Sequence, residues 1–314
     1  MLGATLIKFC EPERLMVLHM SFASDVKNEI CKIPFDDICC TRAEITGIVC
    51  FAAQINADRL KINTENGMVA NRIYELIKRL YNLKIDVVMR KSGAFSAQMG
   101  GMGTSDVLKI LRDMRLSTVP IRIDKEIIRR ECCKRAFIRG AFLGGGSISA
   151  PEKGYHTEIV TNHYGLCSDF KQLLGFFEIY SKIVKRKGNY VFYLKDSEQI
   201  EDLLAVLGAH IQMMEFLNIK IVKEVRNTTN RLVNCETANV EKTASAAVQQ
   251  KMAILTLKRK LGFEHLSPEL TELAKLRLKN PEATLTELSK MLGITKSGVN
   301  HRMRRLIKMA EAER

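Results

Sequence analysis

The sequence predicts an α+β protein: a pseudo-twofold domain of two αββαββα-type halves, followed by an all-α domain. Three observations predict it. Cys39-Cys40-Thr41-Arg42-Ala43-Glu44-Ile45-Thr46-Gly47-Ile48 returns as Cys132-Cys133-Lys134-Arg135-Ala136-Phe137-Ile138-Arg139-Gly140-Ala141, and the match runs on to Gln54-Ile55 against Ser147-Ile148. That period is too long for a solenoid and suits two copies of a small α/β unit. Behind each repeated helix, strand-like alternation and helical spacing follow in the same order. From about Ile211 onward only helical spacing remains.

In the first half, Met20-Ser21-Phe22-Ala23-Ser24-Asp25 opens an amphipathic helix carrying Val26, Ile30 and Ile33. The repeated helix comes next, with Gly47 at its middle. Residues 59–63 then alternate like a strand, and Ile73, Leu76, Ile77 and Leu80 give residues 70–81 a helical face. Residues 84–90 read as a strand and 105–114 as a helix. The second half repeats the order. Residues 156–160 alternate, and Phe170, Leu173, Leu174 and Phe177 line one side of a helix over 166–179. Residues 181–184 and 190–194 form a hairpin around Lys187-Gly188-Asn189, and 198–207 is a helix. Two such halves side by side predict one continuous antiparallel sheet.

The domain boundaries read as follows. Residues 1–19 are a non-native extension, with Met20 the expected biological start. Residues 20–222 form the duplicated domain, as halves 20–115 and 116–222. Residues 223–242 are a polar linker, with 237–245 open to a helical reading, and 243–314 are helical. Within the last segment, residues 243–260 form a long helix. Ser267-Pro268-Glu269 gives an N-cap, a proline at the first helical position and an early acid. Thr284-Leu285-Thr286-Glu287 is a capping box.

Lys and Arg number 49 against 35 Asp and Glu, a formal net charge of +14, which suits a polyanionic partner. Nowhere is there an uncharged apolar run long enough to span a membrane, and the amino-terminal 20 residues lack the apolar core of a signal peptide. The nine cysteines fall as two adjacent pairs and five singles. No CxxC is present and no Cys/His group has zinc spacing, so the expectation is reduced thiols in a cytoplasmic protein, with no metal and no cofactor.

Residues 284–308 have the form of a helix-turn-helix. Leu288 and Leu292 lie on the first helix, Gly293 takes the turn where positive φ is cheap, and Ile294 anchors it. Thr295 caps the second helix, and Val299, Met303 and Leu306 face inward. The outward residues suit a recognition helix in a major groove, with polar tips for base edges and cations for phosphates. Ser297, Asn300, His301 and Arg304 are the candidate base contacts. Lys296, Arg302 and Arg305 are the candidate phosphate contacts, and Thr295 completes the DNA-binding set. The partner is therefore double-stranded DNA. Basic triplets near the strand turns add Arg90, Lys91, Arg186 and Lys187 as secondary DNA contacts.

The duplicated segments Ile45-Thr46-Gly47-Ile48-Val49-Cys50-Phe51-Ala52-Ala53 and Ile138-Arg139-Gly140-Ala141-Phe142-Leu143-Gly144-Gly145-Gly146-Ser147 resemble the LAGLIDADG homing-endonuclease motif. Gly47 and Gly140 are the expected crossing points of the two helices, where side chains would force them apart. In the nucleases each helix ends in an acid that holds a divalent metal on the scissile phosphate. Here those positions are Ala52 and Gly145, with Cys50 and Leu143 nearby, and Glu44 lies about two turns upstream. The resemblance therefore implies the nuclease scaffold without its chemistry, and no catalytic residue.

A LAGLIDADG-like domain lacking its acids, followed by a helix-turn-helix, resembles the WhiA family over nearly the whole chain from Met20. The most recognisable pieces are Ser21-Phe22-Ala23-Ser24-Asp25-Val26-Lys27-Asn28-Glu29, Arg139 to Ser147, Asn230-Arg231-Leu232-Val233-Asn234-Cys235-Glu236-Thr237-Ala238-Asn239 and Gly298-Val299-Asn300-His301-Arg302. The resemblance implies a non-enzymatic, nucleoid-associated transcriptional regulator of Gram-positive bacteria, tied to cell division and chromosome segregation or to sporulation. It leaves open whether the LAGLIDADG-like domain meets DNA or docks a protein regulator or the transcription machinery. Two rival readings stand beside it: an active metal-dependent homing-type endonuclease, and a chromosome or division-machinery adaptor whose DNA contact is incidental.

Overall fold

In the computed structural model, residues 5–6, 21–35, 37–56, 59–83, 85–89, 94–99, 104–116 and 121–313 are described. The chain divides into two units, Met1–Lys223 and Glu224–Arg314. The first unit opens with β1 (Thr5–Leu6) and α1 (Phe22–Lys32). Its first half then runs α2 (Ile38–Ala52), β2 (Ala53–Asn56), β3 (Arg59–Thr64), α3 (Gly67–Tyr81), β4 (Asp86–Met89), β5 (Phe95–Met99) and α4 (Thr104–Asp113). The second half runs α5 (Glu131–Gly145), β6 (Gly146–Ile148), β7 (Thr157–Thr161), α6 (Tyr164–Gly175), β8 (Lys182–Arg186), β9 (Asn189–Leu194) and α7 (Ser197–Leu207). Each half is therefore αββαββα.

The local chemistry explains the boundaries. The Ser21 side chain accepts from the Ser24 N–H and starts α1. Asn66 accepts from the N–H groups of Met68 and Val69 at the start of α3. Lys187 and Gly188, at φ 49° and 83°, make the two-residue turn between β8 and β9, where positive φ at both positions matches the strand twist. Strands β2, β6 and β5 carry little sequence signal because they are only three to five residues long.

All pairings are antiparallel, but the expected continuous sheet is replaced by two. One has the order β1-β4-β5-β3-β2 and the other β6-β7-β9-β8. Among the described residues β1 adds a fifth strand to the first sheet, pairing Thr5 with Met89; most of the expected extension 1–19 lies outside the described residues. The split has a geometric cause. The inner edge strands β2 and β6 leave directly from the ends of α2 and α5. Packed helices keep their axes about 8 Å apart, whereas a ladder needs strands about 4.8 Å apart. The halves are thus joined through helices. One apolar cluster gathers both, including Ile45, Ile48, Ile73, Phe137, Phe142, Phe170 and Phe192.

The expected linker 223–242 is helix. It is part of α8 (His210–Lys260), a single run of 51 residues. Polarity suggested a linker, but no Gly or Pro falls anywhere between those ends to stop a helix. The threonines that could compete with the backbone bond back one turn, Thr229 Oγ1 to the Val225 carbonyl at 2.9 Å and Thr243 Oγ1 to that of Asn239 at 2.8 Å. The second unit continues with α9 (Pro268–Lys279), α10 (Leu285–Leu292) and α11 (Lys296–Ala312). Its core holds Ile254, Leu257, Leu270, Leu273, Leu288, Val299, Met303 and Leu306.

Candidate nucleic-acid interface and the paired helices

The capping box forms as its spacing requires. Thr284 Oγ1 accepts from the Glu287 N–H at 3.2 Å, and Glu287 Oε2 accepts from the Thr284 N–H at 2.7 Å. Those bonds from the Thr284 backbone and hydroxyl hold the Glu287 carboxyl below its ordinary value. Gly293, at φ 65°, ends α10 in the left-handed conformation. Thr295 then caps α11, its hydroxyl accepting from the Gly298 N–H at 3.1 Å. Arg277 fixes the approach to α10. It is buried, donating to the Ala283 carbonyl and to Gln250 Oε1, the latter at 2.6 Å.

Val299, Met303, Leu306 and Ala310 form the buried side of α11. At 100° per residue, Ser297, Asn300, His301 and Arg304 fall opposite them. Ser297, His301 and Arg304 are exposed and Asn300 is half-buried. Lys296 and Arg305 are exposed on the flanks. Lys308 completes the outward stripe; its charge was evident in the sequence, but its place followed only from the helix phase. Two expected contacts have other employment. Arg302 pairs with Glu269 of α9 at 3.0 Å and is only 24% exposed, and the Thr295 hydroxyl is engaged as the cap.

Of the secondary candidates, Arg90 and Lys91 lie outside the described residues. Arg186 and Lys187 are exposed on the β8–β9 hairpin, remote in sequence from the helix-turn-helix. Arg186 lies 4.0 Å from Glu158. The register puts Lys182 and Glu158 beside Tyr193, so the open face of this sheet mixes both signs.

In the first unit, α2 and α5 cross backbone to backbone. A methyl added at Gly47 would strike the Phe137 carbonyl oxygen, and one at Gly140 would strike that of Glu44. Both glycines are therefore demanded by close approach. Beside the crossing, Glu44 is buried rather than free for chemistry. It accepts from Arg72 Nε at 2.8 Å and Nη2 at 3.1 Å, and Arg139 Nη1 lies 3.5 Å away. At the carboxyl ends, Ala52 and Gly145 are the last residues of their helices. A Cβ on Gly144 would lie 3.2 Å from that of Ala52, so the ends approach closely without a carboxylate at either position. Burial pushes the nearby Cys50 thiol up to about 12.

The amino ends hold a grouping that sequence spacing does not reveal. The sequence shows no metal-ligand spacing, yet Cys39, Cys40, Cys132 and Cys133 have thiol sulfurs all within 4.8 Å of one another. Each pair is too short a motif to read alone, and only the helix crossing brings the two together. Burial, with neighbouring thiols, pushes Cys133 up to about 11 and Cys40 higher still.

The fold and site define a class: a duplicated LAGLIDADG-type scaffold without carboxylates at its helix ends, followed by a helix-turn-helix unit. The descriptions "WhiA N-terminal LAGLIDADG-like domain", "WhiA LAGLIDADG-like domain" and "WhiA C-terminal HTH domain" match residues 38–99, 134–226 and 229–310. A protein of Alkaliphilus metalliredigens (strain QYMF) named "Probable cell division protein WhiA" is 40% identical over 94% of this chain and 99% of its own. One of the same name from Clostridium botulinum is 39% identical over 93% and 98%. The chain belongs to the WhiA family. Its fold matches the crystal structure of full-length DUF199/WhiA from Thermatoga maritima, with a TM-score of 0.60 at 24% identity, covering 93% of this chain and 99% of that one.

Proposed function

We propose that this chain is a sequence-specific, non-enzymatic DNA-binding regulator of transcription acting in cell division, as the names of its relatives suggest for the family. The outward stripe of α11 carries the reading. Ser297, Asn300, His301 and Arg304 can meet base edges in a major groove, while Lys296, Arg305 and Lys308 meet phosphates. Thr295 shapes the start of that helix and contributes through its backbone. Arg302 serves first as a brace to Glu269 and reaches phosphate only if that pair opens. Such a role places the protein on the nucleoid.

The first unit has no carboxylate at the two helix ends where a nuclease would hold its metal, which supports binding without cleavage. The mixed charge on the open face of its second sheet favours a protein-docking platform over a DNA cradle, so Arg186 and Lys187 rank as minor DNA contacts. The test is chromatin immunoprecipitation of the native protein, followed by binding of the recovered sites in vitro. Site-selective binding that weakens steeply with salt, and relaxed selectivity in Asn300→Ala and Arg304→Ala, are expected. Unchanged site occupancy in both variants would defeat the reading.

A further inference from the structure

We propose that Cys39, Cys40, Cys132 and Cys133 form a tetrathiolate site for one zinc ion, which ties the two halves together at the pseudo-twofold axis. No other group of three or more Cys, His, Asp or Glu side chains with ligand geometry occurs among the described residues. The site lies at the opposite end of α2 and α5 from Ala52 and Gly145, so it is distinct from the place where a nuclease holds its metal.

The geometry is nearly that of the bound state. Tetrahedral zinc with bonds of about 2.3 Å sets its four sulfurs about 3.8 Å apart. The thiols already stand within 4.8 Å, so small side-chain rotations close the shell. Adjacent residues on one helix diverge by about 100°, which normally keeps neighbouring cysteines off a common ion. At a crossing, however, the diverging pair of one helix faces that of the other. Four soft sulfur donors in a tetrahedron select zinc or iron over hard cations, and a cluster of several irons would force the sulfurs further apart.

The surroundings fit the charge. Zinc with four thiolates carries a net charge of −2, since each thiol releases its proton to solvent on binding. Each pair occupies the first turn of its helix, where the macrodipole favours anions. Neither Asp37 nor Arg130 places a side-chain cap on those first-turn N–H groups. Arg130 Nη1 lies 4.0 Å from Cys39 Sγ and 3.8 Å from Asp37 Oδ2, so its positive charge is shared between the site and that carboxylate. Cys40 and Cys133 are buried, while Cys132 is exposed and gives the ion a way in.

The test uses the full chain, purified under reducing conditions, supplied with zinc and then gel-filtered. Elemental analysis should find about one zinc per chain, and cobalt substitution should give the intense visible bands of tetrahedral tetrathiolate coordination. Cys39→Ser combined with Cys132→Ser should lose the ion, whereas Cys31→Ser combined with Cys235→Ser should retain it. Stripping the ion should lower the melting temperature by about 5 °C or more. Circular dichroism checks that each variant folds. A folded, reduced wild type that retains no zinc overturns the proposal, as does zinc retained by the Cys39/Cys132 variant. Iron in zinc's place, or an octahedral cobalt spectrum, equally overturns it.

Discussion

The two helix pairs of this protein use glycine for opposite ends. In α2 and α5, Gly47 and Gly140 remove side chains so that two backbones touch, and the surrounding faces are buried. In α10 and α11, Gly293 supplies a left-handed turn and nothing lies within reach of its missing Cβ. The first pair spends its surfaces on each other and becomes an axis. The second holds one helix at an angle and leaves its far side free for a partner. A glycine in a helix pair therefore says little until one knows whether space or backbone conformation demands it.

Substitutions at the two pairs should separate by size. The largest effect is expected at Gly140→Ala, where the new methyl meets the Glu44 carbonyl and neither backbone can yield without opening the crossing. A loss of more than about 4 kcal/mol, read by denaturant unfolding of the first unit, is expected. Retention of wild-type stability would mean that the helices are further apart than described.

Glu44→Ala comes next. It strands Arg72 in the core with Arg139 nearby, at a cost of about 3–5 kcal/mol. Glu44→Gln should recover part of that, because the amide oxygen still accepts from Arg72. On the other pair, Arg304→Ala should weaken DNA binding by about 1–3 kcal/mol with stability unchanged, measured by fluorescence anisotropy. Arg302→Ala sharpens the contrast: broken from Glu269, it should disturb folding at least as much as binding.

Gly293→Ala should cost only about 1 kcal/mol, the penalty of a left-handed alanine in open space. The smallest effect concerns the cap of α10. Glu287 has a lowered pKa in the folded chain, so its cap contribution is complete above the ordinary carboxylate value and is lost as the pH falls through the lowered one. Protection of the amides at the start of α10, measured against their intrinsic exchange rates, should fall over that acid range and not near neutrality.

Much of the candidate surface was legible because it rests on local rules. Thr284 with Glu287, Gly293 and Thr295 are read within a few residues of each other, and the burial of Val299, Met303 and Leu306 fixes the outward stripe by phase alone. The engagement of Arg302 was not legible, since Glu269 lies on another helix and nothing local pairs them. That the expected linker continues as helix was hidden for a local reason as well: polarity marks exposure, but only glycine, proline or a competing side chain ends a helix.

The sequence by itself determined the duplication, the longer helices and strands of each half, the repeated mid-helix glycines and the helix-turn-helix. All of these follow from periodicity, capping and the steric needs of single residues, whereas the missing carboxylates are legible only through the resemblance to the LAGLIDADG motif. Tertiary structure alone decided that the halves form two sheets, that Glu44 is an internal counter-ion and that four thiols converge. Those depend on contacts between residues far apart in the chain, as when Glu44 meets Arg72 28 positions away and Arg139 95 positions away, and no local pattern encodes them.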